Sequence, residues 1–373
     1  MKNLIIITIT LLSVHLLKAQ FECFTPPNNS VGGKEHSENY VYDPNGPVKT
    51  IRVNFHYLLK DDGTGNFTET CDNYTNLPYN GYLFAEDLIT WCNNSWNENA
   101  LLRHMPILPV PALPKKIQLQ LCGVYFHRNT SHYEQNWCAS DNPPAIYYEN
   151  AEEVVNIYMT KNPPTGGCAG GTKVGNTFYN AVIIGTAYDN YKLSIDINST
   201  WRRFHYARIL VNHEVGHVFG IHHVIQDCCK TVPRRCDNNG ISDTPTHDDL
   251  IKMGFTHNEI CDYNHPRGSN NLMDYNAGMV ALSPGQISKF HEYVDGSNKY
   301  YRNCKYKTQS LNITSFSVSK AYIAKSVTIP SVSNIVVGNN SALYINAEEF
   351  TVNGEFEVQL GSVLNVDIVP ACD

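Results

Sequence analysis

The chain has 373 residues, 42% of them hydrophobic, with 28 Lys and Arg against 35 Asp and Glu for a formal charge of -7. An acidic balance without basic clusters argues against a grip on phosphate backbones, so nucleic acid is not an expected partner. The length allows one large domain plus a small one, and the twelve cysteines fit an oxidising compartment in which they pair.

Residues 1–19 read as a secretory signal peptide: Lys2, an apolar run from Leu4 to Leu12, and Ala19 just before Gln20. No later stretch reaches the roughly 20 consecutive apolar residues that a membrane span needs, so the protein is expected to be secreted. Residues 20–48, rich in Pro, Asn, Gly and charge, read as a leader or propeptide. The folded body is expected over 49–304. It opens where Ile51, Val53, Phe55 and Tyr57 alternate with Arg52, Asn54 and His56, which gives a strand one apolar face.

A helix is predicted from about Glu86 to Leu102, then strands over Ile117 to Phe126 and Val154 to Met159. The Gly-rich stretch 166–175 reads as a loop or an irregular sheet edge, and Ala181 to Ala187 as a buried strand. Together these give an α+β body with a mixed sheet. From Phe204 to Phe219 the residues Ala207, Leu210, Val211, Val215 and Val218 fall at helical spacing, and Gly220 ends the helix. A long segment to about Leu282 has little periodicity. Ser283-Pro284-Gly285-Gln286 then starts a further helix, predicted to reach Tyr301, with Ser as N-cap, Pro at the first position and Gln completing a capping box.

Residues 305–373 shift to Ser, Thr, Asn and Val with period-two alternation and read as a separate all-β module, which could bind a surface or a glycan. Within it Val337, Ser341, Leu343 and Ile345 recur 21 residues later as Val358, Ser362, Leu364 and Val366. A short β-solenoid and a small β-sandwich both fit this.

The chemistry concentrates in His213-Glu214-Val215-Gly216-His217-Val218-Phe219-Gly220-Ile221-His222-His223. His213 and His217, four apart on a helix, present both imidazoles on one face, where they can share an ion. Glu214 is turned about 100° around the axis and can reach a water beside the metal, the place for a general base. Gly220 can take positive φ and throw the chain back, so that His223 supplies the third nitrogen rather than its neighbour His222. Three neutral imidazoles suit zinc and leave one position open to water. The remaining histidines, His247 and His257 among them, lack ligand-like spacing. A rival reading from another class is a secreted, non-enzymatic adhesion protein whose metal is a structural clip.

With this motif in hand, the chain resembles the metzincin clan of zinc peptidases, and Asn271-Leu272-Met273-Asp274-Tyr275 looks like the clan's methionine turn. Asp243-Thr244-Pro245 makes it most similar to the pappalysin (ulilysin-like) family, rather than to astacin-like or reprolysin-like enzymes. The resemblance covers about residues 50–303. It implies a two-subdomain catalytic domain, a mixed twisted sheet with an active-site helix and a C-terminal helix. It further implies one catalytic zinc, protein or peptide substrates, a hydrophobic floor at Met273, and a Tyr275 hydroxyl near the metal. Asp237, Asp243 and Thr244 become candidate calcium ligands, although Asn238-Asn239 stands where the family carries Gly-Asp. Cys236 and Cys261 look like a pair. Peptide is expected along the edge formed by 166–175, and Cys23, before the body, is a candidate latency thiolate, set against ordinary disulfide pairing.

Overall fold

A computed structural model of the chain describes residues 40–69, 80–103, 109–138, 145–149, 154–163, 166–174, 177–196, 200–224, 240–261, 269–274, 280–297, 310–315, 320–338, 342–360 and 362–368. The expected signal peptide, Cys23, Asp237 and Tyr275 lie outside them, as does one partner of the expected Cys236–Cys261 pair.

Five strands form the main sheet: β1 (Lys49–Leu59), β2 (Ile117–Arg128), β3 (Val155–Thr160), β4 (Gly167–Val174) and β5 (Thr177–Gly185), in the order β2-β1-β3-β5-β4. Every neighbouring pair is parallel except β4 with β5, which is antiparallel and leaves β4 at the edge. Of the two readings of the glycine-rich stretch, the sheet edge holds and the loop does not, and the edge strand pairs regularly from Gly167 to Val174. Ile51, Val53, Phe55 and Tyr57 are fully buried in the main core, which also takes in α1 (Gly81–Asn97) and the long helix α4 (Thr200–Val218).

The alternate side chains of β1 are also inside. Asn54 and His56 are buried, and His56 places Nε2 2.7 Å from Asn156 Oδ1 and Nδ1 2.9 Å from His127 Nε2. This second face carries a smaller core of Leu58, Tyr158, Ala181 and Ile183 with Trp137 and Tyr147, from the segment around the short helix α2 (Thr130–Glu134). A Cys138–Cys168 disulfide ties that covering segment to β4. Cys92 and Cys122 carry free thiols, so the pairing expected of the cysteines does not extend to them.

Helix α1 starts five residues before the predicted Glu86. Asn80 caps it by accepting the Leu83 N–H at 3.1 Å, a signal the apolar period does not contain. It stops at Asn97 rather than Leu102 because the buried Lys115 ammonium donates to the free carbonyls of Ser95, at 2.6 Å, and Glu98. Helices α3 (Ala187–Asp196), α5 (His247–Lys252), α6 (His257–Cys261) and α7 (Pro284–Ser297) complete the body. The end of the expected leader lies on α7: Tyr40 donates to Asp295 at 2.7 Å, Lys49 pairs with the same carboxylate at 2.5 Å, and the Tyr42 ring sits 4.7 Å from that of His291.

The remaining described elements are strands: β6 (Ser310–Asn312), β7 (Lys320–Ile329), β8 (Asn334–Val337), β9 (Ala342–Val352), β10 (Glu355–Val358) and β11 (Val363–Ile368). They form two sheets, β11-β9-β7-β6 and β10-β8, and every pairing is parallel. The 21-residue offset is the pairing register itself, since Val337 faces Val358, Leu343 faces Leu364 and Ile345 faces Val366. Uniform parallel pairing favours stacked solenoid turns over a sandwich, whose sheets are antiparallel. Val327, Ile329, Ile335, Val337, Leu343 and Ile345 fill the space inside the turns. The last turn meets the body where Asn365 donates to Glu86 of α1 at 2.5 Å and Val363 packs on the main core.

Candidate metal centre

Helix α4 delivers His213, Glu214 and His217, all buried, to the side of the sheet that β4 borders. The helix closes with Gly220 at φ +79°, its N–H donating to His217 O and that of Ile221 to Gly216 O, both at 3.0 Å. This is a Schellman end, and a residue with a Cβ is strained there. The reversal brings His223 back over the helix while His222 stays exposed.

The three Nε2 atoms form a nearly equilateral triangle: 3.1 Å between His213 and His217, 3.0 Å between His213 and His223, and 2.9 Å between His217 and His223. Behind two of them the opposite ring nitrogen is fixed by a backbone carbonyl, His213 Nδ1 to Leu272 O and His217 Nδ1 to Ile221 O, each at 2.7 Å. A carbonyl only accepts, so both Nδ1 atoms carry the proton and both Nε2 atoms turn lone pairs to the centre. Lone pairs at this separation repel unless a cation lies among them, so the donor set fits zinc. Burial keeps these imidazoles neutral, pushing His213 down to about 4 and His217 well below the ordinary histidine range, the latter also through the neighbouring His213. No other group of three or more His, Cys, Asp or Glu converges in this way among the described residues.

Below the histidines lies the turn Asn271–Asp274, with Met273 fully buried. Gly216, one residue before His217, is what lets it in: a Cβ there would stand 2.5 Å from Met273 Sδ. On the other side Gly167 brings the β4 backbone against the general-base candidate, since its own Cβ would lie 3.2 Å from Glu214 Oε1 and 2.7 Å from Ile183 O. Neither glycine stands out in the sequence as a site residue, because its role depends on a partner more than 40 positions away.

The two described calcium candidates give that expectation no support. Asp243 uses both oxygens at the start of α7, accepting from Ser283 Oγ at 2.6 Å and from the Gly285 N–H at 2.7 Å, and Thr244 Oγ1 donates to Ile241 O at 2.9 Å. Among the described residues these groups close a helix end and a turn. His247 and His257, separate by spacing, meet at 3.0 Å, a two-histidine contact that one shared proton satisfies.

A buried three-imidazole centre on a helix, a carboxylate beside it, a methionine turn beneath and a mixed sheet with an antiparallel edge strand define a zinc metallopeptidase of the metzincin type. The family model described as pregnancy-associated plasma protein-A matches residues 166–295, from β4 into α7. Over that span the chain is a pappalysin-like metalloendopeptidase, acting on proteins or peptides. This sets aside the astacin-like and reprolysin-like alternatives and the non-enzymatic clip. No curated protein matches the chain. Among the described residues no helix is long and apolar enough to cross a membrane.

Proposed function

We propose that the protein is a secreted zinc endopeptidase in which His213, His217 and His223 hold the metal through Nε2 and Glu214 is the general base. The observation that carries this is the triangle of Nε2 atoms whose outer nitrogens are already committed to Leu272 O and Ile221 O. Zinc, when bound, supplies Lewis acidity and a water made acidic enough to ionise near neutral pH. Glu214 takes a proton from the attacking water as the peptide carbonyl is attacked, and returns it to the departing amine, so one carboxylate serves both half-reactions. Its position one residue beyond His213, inside the core and beside Gly167, keeps it near the reacting atoms and away from bulk solvent. Tyr275 donates a hydrogen bond to the developing oxyanion. Met273 gives the floor and binds nothing, a thioether being a poor donor to zinc beside imidazoles.

In the same reading residues 1–19 are a signal peptide, 20–48 a leader, 49–304 the two-subdomain peptidase and 305–373 a β-module for a surface or glycan. The substrate lies extended along β4 and borrows its free backbone groups. The deciding experiment is Glu214→Ala in the full chain: hydrolysis of a generic peptide library should disappear with zinc content unchanged. Turnover that survives the substitution removes Glu214 from the mechanism. Backbone hydrogen exchange in 167–174 should slow when a peptidic hydroxamate binds, and exchange that does not change removes β4 as the substrate edge.

A further inference from the structure

The methionine turn and the start of α7 share one buried side chain. Gln286 completes the capping box predicted for α7: the Ser283 N–H donates to its Oε1 at 2.9 Å, and its own N–H donates to Ser283 Oγ at 3.1 Å. The same amide also grips Asn271 on both sides, accepting from Asn271 Nδ2 at 2.8 Å and donating from Nε2 to Asn271 Oδ1 at 3.1 Å. Asn271 Oδ1 takes in addition the N–H of Met273 at 2.9 Å, and the Leu272 N–H goes to Ala281 O at 2.7 Å. Gln286 is wholly buried and Asn271 nearly so. Both side-chain amides are thus satisfied within a closed set, and a low-dielectric surrounding makes such a set rigid.

Between these anchors stands Leu272, whose carbonyl receives His213 Nδ1. A carbonyl behind a ligating imidazole sets its tautomer and ring plane, and so the direction of its lone pair. We propose that Gln286 is a positioning residue for the metal centre: through Asn271 it fixes the Leu272 carbonyl, and through that carbonyl the plane of the His213 ring. Helix capping and metal positioning then meet in one side chain. This rests on His213 being a zinc ligand.

Gln286→Glu separates the two tasks. Glutamate serves a capping box as well as glutamine does, so the acceptor for Ser283 remains, but no N–H is left for Asn271 Oδ1. Asn271 cannot compensate by turning its amide over, because Oδ1 is needed by Met273. Asp243→Ala is the control, since it weakens the same helix start without touching the clamp. Three readouts are taken on the full chain: the rate of zinc loss from the zinc-loaded protein to a chelator, the visible spectrum after cobalt replaces zinc, and the melting temperature of the metal-free protein. Gln286→Glu is expected to shed zinc at least about tenfold faster than the parent and to shift the cobalt bands. Asp243→Ala should melt earlier while keeping the parent's rate and spectrum.

Equal zinc loss from parent and Gln286→Glu, or loss that merely follows melting temperature across both variants, overturns the proposal. If Gln286→Glu does not fold, Gln286→Met, which is uncharged and of similar length, takes its place with the same expectation. A parent that holds no zinc overturns the metal reading itself. Zinc retained by the parent and by Gln286→Glu alike overturns only the positioning role.

Discussion

At Gly167 the β4 backbone runs close against the Glu214 carboxylate, whose Oε1 would lie 3.2 Å from an added Cβ. A methyl group there would stand 2.7 Å from Ile183 O, a backbone atom that cannot rotate aside. Gly167→Ala should therefore displace β4, lowering stability by about 1–3 kcal/mol and kcat by more than that loss implies, with zinc content unchanged. Denaturant titration and turnover on one preparation check both. A second residue, His56, makes the fold acid-sensitive. Burial, then the neighbouring His127, push it down to about 3, although its bond to Asn156 works the other way. An unfolded histidine titrates near 6.5, so from about pH 6.5 down to about 3 the unfolded chain holds more protons and stability falls with pH. His127, lowered to about 4 by burial, acts in the same direction. The urea midpoint should therefore hold above pH 7 and drop on acidification, and His56→Gln should flatten that drop. The motif from His213 to His223 could be read because its ligands sit in one short segment, with helix geometry doing the placing. What fixes their rings, Leu272 O and Ile221 O, are carbonyls, which every residue has and which no sequence pattern marks.

Among the elements, α7 was readable at its start for the same local reason: Ser283 and Gln286 are three apart and their bonds close within one turn. Asp243 was not, being 40 positions away, and its carboxylate at a helix N-terminus looked equally suited to a cation. Asp243→Ala removes an acceptor from two donors at that end and should cost about 0.5–2 kcal/mol, seen as a lower urea midpoint. Helix α1 shows the opposite case. Its true limits depend on Lys115, and on Gly81, where a Cβ would meet the rings of Phe126 and Tyr57 within 3 Å. These partners come from β1, β2 and the segment just before β2, so apolar periodicity placed the helix but not its ends. The Gly-rich β4 lacked the branched side chains by which strands are recognised, and only pairing with β5 makes it one.

For the molecule as a whole, the α+β body was visible in its alternating patterns, and the 21-residue offset already held the register in which β10 and β11 lie on β8 and β9, though not that of the earlier strands. The second core beneath the sheet was not visible, since it rests on His56, Tyr147 and Tyr158, residues whose polar atoms suggest a surface. The last solenoid turn touches the body at Glu86, on the side of β2, while β4 forms the opposite edge of the sheet. A chain ended after Cys304 should then keep its zinc and its turnover but melt at a lower temperature, having lost the cover that Val363 gives the main core. Turnover that disappears with the tail while zinc stays would make the module part of the peptidase.

The turns of the tail differ in length: β10 and β11 lie on β8 and β9 at an offset of 21 residues, β9 on β7 at 23 and β7 on β6 at 16. Spacing can therefore vary in the corners between strands, whereas a residue gained or lost inside a strand such as β9 turns its inward-facing side chains, Leu343 and Ile345 among them, out of the stack.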